Sequence, residues 1–218
     1  MIKVALAILA MCFLTSCGMA ENTKNQEPIM QDEIALHDAL IQAGSTQLVT
    51  GYKNDDVLET IKAAIRLVSR QSDMVSELPN LGVYNPFTPK TKKEWRFYFN
   101  TEKVTTTIIV HPSNVNIVDS IYIFVGENSK DIKSAKMPLN LGGIKLNYLN
   151  YQVTKSLNNP SLHNAKFIYE LKDDPNVHID LNVKDTSINE INSLVESKLL
   201  PTTFSGINVY PARTDKVN

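Results

Sequence analysis

The stretch 177–184 reads VHIDLNVK and alternates apolar with polar residues without a break. Successive side chains of a β-strand point to opposite faces of a sheet, so this alternation predicts a strand with one buried face and one face in water. Just before it, the run 173–176 (DDPN) offers a turn. A sheet with one wet face is typical of antiparallel architecture, so this segment sets the expected fold class.

The period of two continues toward the N-terminus. Trp95, Phe97 and Phe99 alternate with polar residues, and we expect them in the core rather than in a ligand-stacking platform. Together with the strand at 177–183, the runs that predict strands make six, the other five being 94–100, 104–110, 115–125, 144–148 and 165–171.

Helical spacing predicts three helices around these strands. One covers 31–43, a second runs from a cap at Asn54 to Leu78, just before Pro79, and a third begins at a capping-box pattern over 187–190 and stops before Pro201. The resulting order predicts an α+β domain. Its antiparallel sheet of about six strands would carry two N-terminal helices and one C-terminal helix packed on one face.

The first residues have the layout of an export signal. Lys3 precedes an uncharged apolar run over 4–14, which is well short of the roughly 20 residues that span a bilayer as a helix. Leu14-Thr15-Ser16-Cys17 then resembles the lipobox of bacterial lipoproteins. The resemblance implies cleavage before Cys17 and attachment of lipid to its sulfur, which as a thiolate is a strong nucleophile. A plain secreted protein with a chance cysteine is the alternative.

The resemblance also implies a location and a division of the chain. Gly18, rather than Asp, follows the cysteine, a pattern similar to that of lipoproteins sent to the outer membrane, facing the periplasm. We expect a signal peptide over 1–16, the lipidated cysteine with a flexible tether over 17–30, and a single α+β domain over 31–218. Cys12 falls in the discarded segment, so no intrachain disulfide is expected.

Composition narrows the classes of function. The formal net charge of −1 lacks the basic excess of a nucleic-acid binder, so no nucleic-acid partner is expected. The sequence contains no nucleophile elbow, dinucleotide or phosphate-binding glycine motif, or zinc motif. We therefore predict no cofactor, no metal site and no catalytic residues.

One polar pair is a possible site on the strand that decides the fold. His178 and Asp180 stand two apart, so both point to the wet face, where they could bind a metal or act as a general base. The alternative, which we favour, is that both are tolerated polar residues of an amphipathic strand. Arg66 and Arg70 are one helical turn apart and present a similar choice between an anion clamp and a solvated helix surface.

The long connection 79–94 is the candidate partner-binding element. Connections of this length in a compact domain are often functional. Tyr84 and Phe87 would serve as aromatic anchors beside the basic residues Lys90, Lys92 and Lys93. The competing interpretation is a strap over the sheet edge, with both rings in the core.

These observations predict a membrane-anchored, non-catalytic binding module with a protein partner. An inhibitor or immunity protein and an accessory of a secretion machine are specific versions of it. A small envelope hydrolase that uses His178 and Asp180 is the alternative from another class. A carrier of a small apolar ligand between sheet and helices is the third.

Overall fold

The computed structural model describes residues 34–44, 56–86, 95–111, 114–125 and 137–212. Helix α1 covers 34–44, and the other helices are α2 (Val57–Val68), α3 (Met74–Leu81) and α4 (Ile188–Ser197). The strands are β1 (Val83–Asn85), β2 (Trp95–Asn100), β3 (Val104–His111), β4 (Asn114–Val125), β5 (Met137–Pro138), β6 (Leu146–Lys155), β7 (His163–Leu171), β8 (Asp174–Thr186), β9 (Thr203–Phe204) and β10 (Gly206–Pro211).

A single antiparallel sheet organises the domain. Its eight strands lie in the order β1-β2-β3-β4-β10-β8-β7-β6, and β5 pairs with β9 in a separate two-stranded sheet. The predicted α+β class and antiparallel sheet are confirmed. The predicted strand number of about six was too low, since β1 and β10 extend the main sheet to eight strands.

Strand β10 joins two halves of the sheet that are each built from neighbouring segments of the chain. It pairs with β4 on one side, where Ile207 lies opposite Ile123. On its other side it pairs with β8, where Ile207 lies opposite Leu181. The last strand of the chain therefore lies at the centre of the sheet. It follows α4, which is the last element that the sequence patterns predicted.

The second predicted helix is in fact two helices. Helix α2 ends at Val68, and Arg70 follows with a left-handed φ of 57°. Asp73 then caps α3 through a reciprocal capping box with Ser76, which gives the chain a new helix start after the bend. Pro79 lies inside α3, two residues before its last residue, and does not terminate it, so the predicted end at Leu78 was wrong.

The caps of the other helices follow the expected chemistry with one change of residue. The side chain of Asp56 accepts a hydrogen bond from the Leu58 amide and caps α2, whereas the predicted cap, Asn54, lies outside the described residues. Ser187 accepts from the amide of Glu190 at 3.2 Å and starts α4 as predicted. That helix ends at Ser197, before Pro201.

The core lies on one face of the sheet. Cross-strand neighbours Ile121, Val209 and Ile179 are all fully buried and share this face, because residues paired across strands point the same way. Tyr84 of β1 also points to this face, and its hydroxyl forms a hydrogen bond with Nδ1 of His37 in α1. Helix α2 contacts β4 and β10. The opposite face, which carries His178 and Asp180, is called the open face below.

Candidate functional site

A polar cluster occupies the centre of the open face. His178 and Asp180 of β8 lie directly opposite Tyr210 and Asn208 of β10. The Tyr210 hydroxyl donates to Asp180 Oδ1 at 2.8 Å, and Lys166 Nζ of β7 lies 3.5 Å from Asp180 Oδ2. The edge of the His178 ring meets the Tyr210 ring with centroids 5.6 Å apart.

This cluster answers the geometric part of the prediction for His178 and Asp180. The two residues do share the wet face, and Tyr210 contacts both of them. Asp180 is only 3% exposed, and each of its carboxylate oxygens has a partner. Its negative charge is thus balanced in place by a hydroxyl and an ammonium group.

A cleft of about 400 Å³ opens beside the cluster on the same face. The rings of Tyr122 and Phe124 on β4 are stacked, with centroids 6.0 Å apart and planes 8° apart, and Phe124 is 45% exposed. Gly206 of β10 lies between Phe124 of β4 and Asn182 of β8 in the paired strands. Because Gly206 has no side chain, the floor of the cleft stays open at this point.

The cleft has a polar and positively charged rim. Two lysines, Lys166 and Lys184, line it, and the ammonium group of Lys166 also lies 3.5 Å from the carboxylate of Asp180. The amides and hydroxyls on the rim belong to Gln152, Thr154, Asn164, Asn182 and Ser205. An exposed ring surrounded by amides and cations is typical of a binding site for a ligand with an apolar part and an acidic part.

An unsatisfied acceptor lies next to this cleft. The side-chain oxygen of Asn208 is buried, and it has no hydrogen-bond partner in the part of the chain that the structure describes. Asn208 lies opposite Tyr122 on one side and Asp180 on the other, between the cleft and the polar cluster. Buried acceptors are nearly always satisfied, so Asn208 Oδ1 is an exception, as are three other buried side-chain atoms of the described residues.

The candidate partner-binding residues of the long connection have different outcomes. Tyr84 is 6% exposed, packs against Phe97 and Phe99, and lies 2.7 Å from His37 through its hydroxyl. For Tyr84 this burial agrees with the strap interpretation, because the ring fills the space between α1 and the sheet. Phe87, Lys90, Lys92 and Lys93 lie outside the described residues, as does Cys17, so their predicted roles stay predictions.

Arg66 forms an ion pair with Glu77 inside the domain rather than an anion clamp with Arg70. Its guanidinium donates to both carboxylate oxygens of the buried Glu77 at 2.6 and 2.7 Å and so ties α2 to α3. Burial opposes ionisation of Glu77, but the hydrogen bonds from Arg66 and Asn80 and the charge of Arg66 outweigh it, so the pKa of Glu77 is lowered. The same pairing raises the pKa of Arg66.

The structure also describes the aromatic residues of β2 and the residue types that could bind a metal. Phe97 and Phe99 are buried, which confirms their place in the core, and Trp95 is half-buried. Within the described ranges, no group of three or more histidine, cysteine or acidic residues is arranged to hold a metal ion. Among the same residues, no helix has the length and apolar character needed to cross a bilayer.

The sequence patterns missed most of the cleft. Tyr122 and Phe124 were assigned to a strand but not to its wet face, and Gly206 and Tyr210 lie on a strand that was not predicted. A signal for that strand exists, because Ile207 and Val209 alternate with Asn208 and Tyr210. The run is only six residues long, and a single residue, Ser205, separates it from the two-residue strand β9.

No protein-family model, no curated protein and no solved structure matches this chain.

Proposed function

We propose that this protein is a lipid-anchored binding module of the bacterial envelope, which holds an acidic protein partner in the open-face cleft. The observation that carries the proposal is the exposed Phe124 ring beside the Gly206 gap, within a rim that includes Lys166 and Lys184. A partner side chain inserted there would bury the Phe124 ring, and a partner carboxylate would meet Lys184, since Lys166 already lies beside Asp180.

The anchor supports this proposal from the other end of the chain. Lipid on Cys17 would hold the domain at the membrane, and the tether over 17–30 would let it stand off the surface. Gly18 after the cysteine favours the periplasmic face of the outer membrane. An inhibitor or immunity protein and an accessory of a secretion machine both fit a small anchored domain with one binding cleft.

The two competing functions receive less support from the geometry. A hydrolase of this kind would use Asp180 to orient the imidazole of His178, whereas the two Asp180 oxygens contact Tyr210 and Lys166 instead. An apolar carrier was expected to bind between sheet and helices, whereas the cleft beside Phe124 lies on the other face of the sheet. Binding of a protein surface is therefore the function that we propose.

Affinity isolation from membranes tests the proposal. The lipidated wild type, Phe124→Ala and Ile34→Ala would be purified in parallel, because Ile34 is exposed to a similar extent (50%) but lies on α1. We expect Phe124→Ala to weaken partner binding by about 30-fold, or about 2 kcal/mol, and added salt to weaken it further. Retention of the partner by Phe124→Ala at the level of Ile34→Ala would contradict the proposal.

A further inference from the structure

The two edges of the main sheet differ in how they are protected. Edge strand β1 has three residues, Val83–Asn85, whereas edge strand β6 has ten, Leu146–Lys155. In the described part of the chain, no strand pairs with the outer edge of β6. A long open edge presents a row of backbone N–H and C=O groups that favour pairing with another strand.

The composition of β6 lacks most of the usual devices against such pairing, although the amide of Tyr151 donates to the side chain of Asn150 at 2.8 Å. From Leu146 through Thr154 the strand contains no charged residue and no proline. Its one irregularity is a bulge between Tyr148 and Asn150, which leaves the six residues from Asn150 to Lys155 in regular register with β7. Natural sheets protect exposed edges with lysines, prolines, bulges or short strands, and the regular part of β6 has one lysine, at its end.

Apolar side chains flank this edge. Leu149, at the bulge, is 44% exposed, and Tyr151 is 38% exposed on the side of the sheet that carries the core. Gln152 and Thr154 point to the open face, where they form the near wall of the cleft. The edge therefore offers backbone hydrogen bonds together with exposed apolar area, as interfaces formed by strand addition do.

We infer that β6 pairs with β6 of a second copy of this chain, in antiparallel orientation about a two-fold axis perpendicular to the sheet. Identical edges match in twist and hydrogen-bond spacing, and the uncharged run places no like charges opposite one another. A foreign strand would have to meet the same requirements without this built-in match. Pairing of this kind makes one continuous sheet of sixteen strands from two sheets of eight.

Such a dimer places both clefts on the same side. Rotation about an axis perpendicular to the sheet leaves the open face of each copy facing the same direction. The short contact implies a weak interface, and confinement to a membrane surface would raise the effective concentration of the two copies. The dimer goes beyond the proposed partner binding and does not require it: β6 contributes Gln152 and Thr154 to the wall of the cleft, but Phe124 and Gly206 lie four and three strands away from it.

Disulfide cross-linking of the full chain in its membranes tests the pairing. Single cysteines would replace each residue of β6 from 150 to 154 in turn, because only the residue on the two-fold axis lies opposite itself, and the exposed Ser193 on α4 would be replaced as the control. Cysteines opposite one another in an antiparallel pair meet the distance limits of a disulfide. We expect a dimer of twice the monomer mass from at least one β6 position and none from Ser193→Cys.

Charge on the edge provides the second arm. Tyr151→Lys or Leu149→Lys, added to the cross-linking variant, would place like charges across the two-fold axis, and we expect at least about a tenfold loss of dimer. Ile34→Lys, on α1 at the far end of the sheet, should leave the dimer yield unchanged. The inference is overturned if no β6 position gives a dimer, or if both edge lysines leave its yield unaltered. Adducts to a different protein in place of the dimer would also overturn it.

Discussion

At the scale of the residue, Asp180 and Glu77 show how buried carboxylates are accommodated on the two sides of this sheet. Asp180 is held by Tyr210 and Lys166 on the open face, and Glu77 is held by Arg66 and Asn80 beneath the helices. In each case the charge is buried only because donors surround it. Removal of one donor should therefore lower the free energy of unfolding more than replacement of both partners by apolar residues does.

The Arg66–Glu77 pair gives a pH-dependent prediction. The pKa of Glu77 is lowered from its ordinary value of 4.5, so its ionisation stabilises the folded state above that pH, and this contribution is lost as the pH falls through the folded-state pKa. Glu77→Gln should therefore lose less stability than wild type between about pH 6 and about pH 3. Urea unfolding at each pH measures the difference.

A matched carboxylate controls for general effects of charge. Glu59 pairs with Lys62 on the half-exposed surface of α2, so Glu59→Gln should follow the wild-type pH profile closely. At neutral pH, Arg66→Ala should lower the free energy of unfolding by about 2 kcal/mol, because it leaves Glu77 buried without its main partner. Equal pH profiles for Glu77→Gln and wild type would contradict this account of the ion pair.

The proposed anchor would depend on a single atom, the sulfur of Cys17. Cys17→Ser should yield a precursor without lipid, because a hydroxyl cannot replace the thiolate as the alkylated group. Metabolic labelling with a radioactive fatty acid measures this outcome. Cys12→Ser is the control, since Cys12 lies in the segment that we expect to be removed. Incorporation of label into Cys17→Ser at the wild-type level would exclude the lipoprotein assignment.

At the scale of the element, Tyr84 joins α1 to the sheet. Its ring packs on Phe97 and Phe99 of β2, and its hydroxyl contacts His37 of α1. Tyr84→Ala should therefore lower the free energy of unfolding by about 3–5 kcal/mol, and Tyr84→Phe by about 1 kcal/mol. Thermal and urea unfolding measure both values.

Phe124, an aromatic residue that is 45% exposed, is the comparison that distinguishes a role in stability from a role in binding. Phe124→Ala should change stability little, because its ring is largely exposed on the open face. If Tyr84→Ala were as stable as Phe124→Ala, the position of Tyr84 between α1 and the sheet would be wrong. The same pair of variants should show the reverse order when binding of the partner is measured.

The elements that sequence patterns predict well are those that carry a strong local signal. Strand β8 alternates apolar and polar residues over 177–184, and Ser187 caps α4 as expected. The break between α2 and α3 was missed although its signals are present, since residues 69–73 (SRQSD) contain no apolar residue and Asp73 acts as a new cap. Pro79 was taken as a stop signal, although a helix held by its cap and by Glu77 accepts a proline near its end.

The candidate site was harder to predict than the elements because it depends on which strands become neighbours. His178 and Asp180 were selected from their spacing alone, and their shared face follows directly from it. Tyr210 and Gly206 reach that site only because β10 inserts between β4 and β8. No local pattern reports such a long-range pairing.

At the scale of the whole molecule, the fold depends on its last strand. β10 pairs with β4 and β8, so it connects the half of the sheet that begins with β1 to the half that ends with β6. Truncation after Ser205 should therefore prevent cooperative folding of the whole domain. Truncation after Ala212 removes only residues 213–218, which lie beyond β10, and should leave the melting temperature nearly unchanged.

Circular dichroism and thermal unfolding of the two truncated chains measure this dependence. The expected result is a cooperative transition for the longer chain and none for the shorter. A cooperative transition of the chain that ends at Ser205, with wild-type helix and strand content, would show that the two halves associate without β10.

The sharpest test of cleft binding is a photo-cross-link from the cleft itself. A photoreactive phenylalanine analogue at position 124 of the full, membrane-bound chain should form an adduct with the partner, and the same analogue at position 34 should not. Gly206→Val should remove the adduct without unfolding the protein, because an added Cβ would lie 3.4 Å or more from its neighbours while the rest of the side chain fills the cleft. An adduct from position 124 that is no stronger than that from position 34, or that persists in Gly206→Val, would contradict binding in this cleft.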